Sequence, residues 1–354
     1  MSSIKILVAQ GGGPTAVINQ SLVGVVLEAR RFPQVTRVYG ALHGVRGIVN
    51  QELVDLGHET SDNLAAVART PAAALGSTRD KPDAKYCQEI FKVLKAHAID
   101  TFFYIGGNDS SDTVRIVSEE AKKGGHELRA IHIPKTIDND LVGFDHVPGF
   151  PSAARFVAQA FAGANLDNQA LKGVYCAVVM GRHAGWIATH AGIAGGADAI
   201  LVPERPFDID EVCARLRRRH ERGRSFSIVV AAEGATPREG TSQTREDTST
   251  DAFGHARLGG IGVMLEHEIE ARTGFETRVT ILGHVQRGGT PVAFDRVLAT
   301  RFGVAAMEAV AAGRFGTMVA LRGTEIVEVD LEEALREPKL LDPALYETAE
   351  LFFG

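Results

Sequence analysis

The sequence predicts an α/β protein of two lobes, each a parallel sheet covered by helices. Three observations carry the prediction. Short, almost wholly apolar runs alternate with segments of helical periodicity. The alternation restarts after Pro148. Glycine-rich or acidic turns follow directly on several of the apolar runs. A chain of 354 residues is long enough for two such domains.

In the first half, residues 4–9 read as a buried strand that runs into Gly11-Gly12-Gly13-Pro14. Residues 18–30 then place Ile18, Leu22, Val25, Val26 and Ala29 at helical spacing. Further strands are expected over 35–42, 101–105 and 128–133, each closed by glycine, proline or polar turn residues. In the second half, strands are expected over 174–180, 199–202, 226–232 and 278–282. An arginine-rich helix spans about 210–222, and a longer helix about 291–312. The polar stretch 237–251 reads as a mobile surface loop. There is no internal repeat and no extended low-complexity tract.

Composition narrows the function classes. Hydrophobic residues make up 45% and charged residues 23%, an ordinary globular balance that argues against disorder. The formal charge of −6 offers no global basic field for nucleic acid or an anionic membrane. Cys87, Cys176 and Cys213 are odd in number and widely spaced, which fits a reducing compartment rather than a disulfide framework. Residues 4–10 lack the long apolar region of a signal peptide, and no stretch approaches the ~18–20 apolar residues that span a bilayer. The expectation is a cytoplasmic protein with no membrane and no nucleic-acid partner.

In open parallel sheets ligands sit at the carboxyl ends of the strands, and four polar clusters fall there. Gly11-Gly12-Gly13-Pro14 exposes backbone N–H groups at a helix start, which suits an anion, although a plain tight turn has the same composition. Gly106-Gly107-Asn108-Asp109-Ser110 combines close backbone approach with hard oxygens suited to Mg²⁺; a simple strand-ending turn is the alternative. Pro134-Lys135-Thr136-Ile137-Asp138-Asn139-Asp140 sets two carboxylates beside a lysine and a hydroxyl. One acid can take a hydroxyl proton while the other helps to hold a metal. An Asx-turn would use either aspartate but would not call for Lys135 and both acids. The last cluster gathers Met180-Gly181-Arg182, Glu233-Gly234, Arg278 and Gly283-His284-Val285-Gln286-Arg287-Gly288-Gly289. Arginine forks bind phosphate and glutamate can orient sugar hydroxyls, whereas singly such arginines are more often solvated surface charges.

Taken in order, these clusters resemble the phosphofructokinase family from about Ile4 to Gly303. The match also includes Leu75-Gly76-Ser77-Thr78-Arg79 and, after the last motif, Pro291, Asp295 and Arg296. The resemblance implies two Rossmann-like lobes with the active site in the cleft between them. Residues 1–148 with about 284–335 would form the donor lobe, 149–283 the sugar-phosphate lobe, and 336–354 a C-terminal extension. It implies Mg²⁺-dependent phosphoryl transfer to the 1-hydroxyl of fructose 6-phosphate, reversible, giving fructose 1,6-bisphosphate. Asp138 would be the base, with Thr136, Ile137 and Asp138 at the reacting end of the sugar. Met180, Gly181 and Arg182 would hold the sugar and the phosphoryl in transit. Glu233 would bind sugar hydroxyls, and Arg278, His284, Val285, Gln286 and Arg287 would serve the 6-phosphate end. Gly12, Arg79 and Asn108 would contact the donor, and Asn108 with Asp140 would lie near Mg²⁺. One phosphate-binding arginine of this family comes from a neighbouring subunit. That implies a homodimer or homotetramer, with Arg278 as the candidate; another family arginine is replaced around Lys172-Gly173, which leaves its contact open.

Two positions bear on the donor. ATP-using relatives have glycine where this chain has Asp109 and Lys135, while the pyrophosphate-dependent members have an acid and a lysine. An aspartate puts bulk and negative charge where a nucleotide α-phosphate would lie. Two anions ~4 Å apart repel by about 4 kcal/mol at an effective dielectric near ~20, enough to select against ATP. Lys135 can in turn hold the compact pyrophosphate anion. The stretch Gly13 to Asn19 also resembles the pyrophosphate branch. Pyrophosphate, fructose 6-phosphate and phosphate are thus the expected partners. Regulation is expected to be slight, because Val23 and Leu27 stand where bacterial ATP-using relatives carry effector-binding arginines. The six arginines from Arg215 to Arg224 read as a solvated helix face, against an effector or nucleic-acid site. The competing readings are an ATP-dependent enzyme of the family, the same chemistry on another acceptor such as sedoheptulose 7-phosphate, and a non-catalytic sugar-phosphate-binding subunit. The last conflicts with the presence of Asp138, Asp140, Arg182 and Arg287.

Overall fold

A computed structural model describes residues 3–238 and 260–353. The polar stretch 237–251 therefore lies, from residue 239 onward, outside the described residues. Eleven strands are formed among those described: β1 (Ile4–Gln10), β2 (Val35–Ala41), β3 (Leu53–Asp55), β4 (Thr101–Gly106), β5 (Arg129–Pro134), β6 (Val174–Val179), β7 (Ala199–Leu201), β8 (Ser227–Ala232), β9 (Thr277–Ile281), β10 (Thr317–Arg322) and β11 (Glu325–Asp330).

Two sheets result. The larger runs β11-β10-β5-β4-β1-β2-β3, and the smaller runs β7-β8-β6-β9. Every pairing in the smaller sheet is parallel. The larger sheet is parallel through its centre and antiparallel only at its two edges, where β3 meets β2 and β11 meets β10. Parallel strands covered on both faces must be apolar on both faces, and Ile6, Leu7, Val8 and Ala9 of β1 are all fully buried. Burying a Val, Leu or Ile contributes roughly 1.5–3 kcal/mol each, and β1 packs into a core shared with β2, β4, β5, β10 and the covering helices. β10 and β11 form a hairpin that no motif announces. Its turn uses Gly323 at φ +59°, a left-handed conformation that favours glycine.

The chain divides into two compact units. The first comprises Met1–Ile137, Leu141–Ser152 and Arg287–Glu337; the second comprises Asp138–Asp140, Ala153–Gln286 and Pro338–Gly354. Of residues 336–354, read from the sequence as a C-terminal extension, those from Pro338 onward group with the second unit. Within the first unit, the helices Ile18–Ala29 and Ala293–Ala311 approach closely. A side chain begun at Gly24 would stand 2.8 Å from the Thr300 carbonyl oxygen, so only glycine permits the contact. Ser21 seals it by donating to the Ala299 carbonyl at 2.9 Å. On the same helix Val23 is buried and Leu27 is 43% exposed.

The arginine run lies on the helix Ile209–Glu221 and beyond, and half of it is not simply solvated. Arg219 pairs with buried Asp198 at 3.0 Å, Arg217 donates to the Arg272 carbonyl at 2.9 Å, and Arg215 lies 4.7 Å from the Phe353 ring centroid. Arg218, Arg222 and Arg224 are exposed. Long stems cover apolar surface while the guanidinium heads find acceptors. All three cysteines are buried and unlinked, and burial pushes the Cys87 and Cys213 thiols up to about 11. No helix among the described residues is long and apolar enough to cross a membrane.

Candidate active site

The residues singled out in the sequence fall into two sets, one on each unit. On the first unit, β1 delivers the chain into the glycine turn. Gly11 N–H donates to the Ile105 carbonyl at 2.9 Å and Gly12 N–H to the Thr78 carbonyl at 3.0 Å. Ser77 Oγ donates to the Gly12 carbonyl at 2.6 Å. Gly12 has φ +70°, and a side chain begun there would stand 3.5 Å from Lys135 Nζ and 4.0 Å from Ser110 Oγ. At Gly11 a Cβ would crowd the Tyr104 and Ser110 hydroxyls, and at Gly13 it would overlap the Arg287 guanidinium. The turn is therefore glycine because Tyr104 of β4, Ser110 of the helix Asn108–Lys123, Lys135 just after β5, and Arg287 converge on its backbone.

Lys135 is the central charge. Its side chain is 3% exposed, its ammonium donates to the Gly13 carbonyl at 2.5 Å, and its own N–H donates to the Gly106 carbonyl at 2.8 Å. The second glycine motif starts the helix Asn108–Lys123, with Gly107 at its N-cap and Asp109 in its first turn. Asp109 is exposed, and a carboxylate there is stabilised by the helix N-terminus. Gly12, Lys135, Ser110 and Arg287 are thus drawn together around one turn, with Asn108 and Asp109 at the start of the adjoining helix. Arg287, read from the sequence at the sugar-phosphate end, has its guanidinium against Gly13.

Three supports of this set make contacts that their place in the sequence does not reveal, although Asn19 and Asp295 belong to matched stretches. Gln10 donates to Asn19 at 3.0 Å and accepts from Leu75 N–H at 2.9 Å. Asn19 in turn donates to the Thr70 carbonyl and accepts from Ala74 N–H. This buried amide pair fixes the approach to Ser77, Thr78 and the exposed Arg79. Asp295 accepts from Gly149 N–H at 2.9 Å, Ser152 N–H at 3.2 Å and Ser152 Oγ at 2.5 Å. Burial pushes its carboxyl upward in pKa, against the pull of these three donors. Because Gly149 bridges to Thr136 and Thr136 N–H donates to the Pro148 carbonyl, Asp295 holds Thr136 in place through its neighbour. Ile137 is buried, and the first unit's part of this motif ends there.

On the second unit, the Met180–Gly181–Arg182 loop is pinned from several directions. Gln286, 1% exposed, accepts from Met180 N–H at 3.3 Å and donates to the Gly283 carbonyl at 2.9 Å. Glu233 N–H donates to the Val179 carbonyl at 2.8 Å and Gly234 N–H to the Gly181 carbonyl at 3.2 Å. A side chain at Gly234 would overlap the Arg182 carbonyl. Glu233, distant in sequence, is therefore a neighbour of the Met180–Gly181–Arg182 loop. Asp138, Asn139 and Asp140 belong to this unit, with Asn139 at φ +55°, the left-handed conformation that asparagine tolerates best among residues with a side chain. Arg278 lies exposed on β9 and pairs with Asp167 at 2.6 Å and Glu276 at 2.8 Å. His284 and Val285 are exposed. Lys172 is exposed with φ +60° where the helix Phe150–Leu171 ends. Among the described residues no three His, Cys, Asp or Glu side chains cluster as an all-protein metal cage.

The phosphofructokinase family profile matches residues 5–310. The chain belongs to the phosphofructokinase family. A pyrophosphate–fructose 6-phosphate 1-phosphotransferase of Rhodospirillum rubrum is 52% identical over 343 residues, 93% of this chain and 84% of that protein. An ATP-dependent 6-phosphofructokinase of Mycobacterium tuberculosis is 40% identical over 354 residues, 99% of this chain and 100% of its own length. Among solved structures, a pyrophosphate-dependent phosphofructokinase from Marinobacter aquaeolei superposes with a TM-score of 0.84 at 33% identity, covering 96% of this chain and 86% of that one. The two parallel-sheet lobes are the architecture of this phosphofructokinase neighbour.

Proposed function

We propose that this phosphofructokinase-family chain transfers a phosphoryl group from pyrophosphate to the 1-hydroxyl of fructose 6-phosphate, giving fructose 1,6-bisphosphate and phosphate. The observation that carries the donor assignment is the buried Lys135 ammonium at the carbonyl of Gly13, with Asp109 in the first turn of the adjoining helix. A positive charge sunk into a glycine turn favours a small, dense anion. A carboxylate where a longer donor would extend disfavours a nucleotide. The 52% identity to a pyrophosphate-using relative supports the same donor.

In this mechanism Asp138 takes the proton of the 1-hydroxyl as its oxygen attacks phosphorus. The bond from phosphorus to the bridging oxygen breaks, and phosphate leaves. Lys135, Arg182 and Arg287 offset the charge on the moving phosphoryl group, so the protein contributes positioning and electrostatics plus one base. Because the products are again a phosphate ester and a small phosphate anion, the same groups serve the reverse reaction. Mg²⁺ would supply charge neutralisation between the donor phosphates, held by Asn108 and Asp140. Few protein oxygens suffice, because Mg²⁺ keeps several waters and is bound largely through substrate phosphates.

Thr136, Ile137, Met180, Gly181 and Glu233 complete the sugar contacts, and Gly12 and Arg79 the donor contacts. Arg278 and His284 would hold the 6-phosphate, with Arg278 acting across a subunit boundary in a homodimer or homotetramer. Val285 and Gln286 support them. The enzyme would work in the cytoplasm with little allosteric control, since Val23 and Leu27 give a phosphate effector no charged partner.

A coupled assay of the full chain with pyrophosphate or ATP as donor, and with phosphate plus fructose 1,6-bisphosphate in reverse, tests the proposal. Pyrophosphate turnover with negligible ATP turnover is expected. The opposite preference rejects the donor assignment and leaves the family membership standing; it is the outcome that the 40% identity to an ATP-dependent relative favours. Faster turnover of sedoheptulose 7-phosphate would move the acceptor assignment.

A further inference from the structure

A short segment near the C-terminal end of the chain ties together two loops of the second unit. Lys339 N–H donates to the Asp140 carbonyl at 2.8 Å. The Lys339 carbonyl accepts from the indole Nε1–H of Trp186 at 3.0 Å, and its ammonium lies 4.3 Å from the centre of the same ring. Two residues further on, Leu341 N–H donates to the Glu204 carboxylate at 2.8 Å. That carboxylate also accepts from Gly185 N–H at 3.0 and 3.1 Å. Gly185 stands at the N-cap of the helix Trp186–Gly195 and has no side chain to cap it. Glu204, from another element, takes the N–H of the N-cap residue itself and sets a negative charge at the helix N-terminus.

These bonds close a circuit from Asp140 through Lys339 to Trp186 and Gly185, and from Gly185 through Glu204 to Leu341. One end of the circuit is the acidic loop; the other begins three residues after Arg182. The segment's far end is anchored separately, where Tyr346 donates to the Ile200 carbonyl at 2.7 Å.

We propose that residues 339–341 are a strap that sets the spacing between the Asp138–Asp140 loop and the Met180–Arg182 loop, and that Glu204 is its positioning residue. The catalytic consequence rests on the proposed roles of Asp138 and Arg182. Phosphoryl transfer depends on a base and a charge partner held in fixed register, and a displacement of about 1 Å can cost on the order of 10²-fold in rate. A carboxylate shared by two backbone donors at a helix N-terminus is a stiff joint, because each bond is charge-assisted.

The test uses the full-length chain and two independent variants, Glu204→Ala and Trp186→Phe, so that a failure of one to fold does not end the experiment. Amide hydrogen exchange is expected to quicken in both loops, over 138–141 and over 181–187, in each variant. kcat should fall by about 10-fold or more while KM for pyrophosphate stays within about two-fold. Glu204→Gln keeps one acceptor oxygen and should recover part of the loss. Tyr346→Phe, which removes only the distal anchor, should lower the melting temperature and leave kcat unchanged.

Wild-type protection of both loops in folded Glu204→Ala and Trp186→Phe overturns the strap itself. An equal loss of kcat in Tyr346→Phe at the same loss of melting temperature reduces the strap to ordinary stability and overturns its positioning role. The exchange readout does not involve turnover. Quickened exchange in both loops together with a fully active Asp138→Asn therefore retains the strap and rejects the base assignment instead.

Discussion

The ammonium of Lys135 donates to the carbonyl oxygen of Gly13 at 2.5 Å, across 122 positions of sequence. That bond joins the third of the sequence clusters to the first and turns a glycine-rich bend into a charged one. Its energetic meaning follows from burial: an ammonium held away from water gains most from an anion that can approach it closely.

Donor choice should therefore move with two side chains. Asp109→Gly removes charge and bulk, so ATP binding should appear and pyrophosphate turnover should weaken. Lys135→Gly should chiefly reduce pyrophosphate turnover. Because both residues can act on one anion, their effects need not add, and a double-mutant cycle of kcat/KM for each donor is the measurement. Absence of any ATP binding in Asp109→Gly would place donor exclusion elsewhere.

Asp138→Asn should lower kcat by ~10²–10⁴-fold, the ordinary contribution of a positioned base. KM for fructose 6-phosphate should change little, since the amide keeps the size of the carboxylate. Steady-state kinetics at saturating pyrophosphate decide it, and a variant retaining more than half the turnover rejects the role.

The two arginines should separate by function. Arg287, set against Gly13, should affect kcat and the donor KM as well as the sugar KM when changed to alanine. Arg278→Ala should raise mainly KM for fructose 6-phosphate. If Arg278 acts on a neighbouring subunit, dilution until the oligomer dissociates should reproduce that loss in the unaltered protein. Activity per chain alongside sedimentation checks this, and a fully active monomer refutes the cross-subunit part.

His132 gives a pH prediction for stability. It is fully buried on β5, and burial, aided by the nearby Lys135 ammonium, lowers its pKa to about 3. The folded chain keeps this ring neutral, while the unfolded chain binds a proton below about pH 6.5. Unfolding thus takes up a proton across the window from about 6.5 down to 3. The contribution of His132 is present above that window and is lost as pH falls through it. Between pH 7 and pH 5 it should amount to about 2 kcal/mol. Urea unfolding at both values, with His132→Leu as reference, is the check; equal pH dependence in the two proteins refutes the assignment.

Much of the central sheet was legible because parallel strands must be apolar on both faces, and runs such as the one starting at Ile4 can be recognised without any partner. The helix starting at Ile18 was legible from its periodicity. The β10–β11 hairpin was not, since its place beside β5 depends on a pairing between Thr317 and Ile131 that no local pattern encodes. The arginine run shows the same limit. Spacing predicts one solvated face, but Asp198, the Arg272 carbonyl and Phe353 come to it from other elements.

The sequence by itself determined the two-lobed α/β class, the family, and the identity of the charged and glycine residues at the strand ends. Those follow from residue types in a fixed order, which local chemistry constrains. Only the tertiary structure decided which of them meet: that Arg287 lies against Gly13, that Gln286 is buried beneath Met180, and that Glu204 joins Gly185 to Leu341. Such contacts depend on how the backbone returns through space after many residues. A side chain's neighbours across that return leave no mark on its neighbours in sequence.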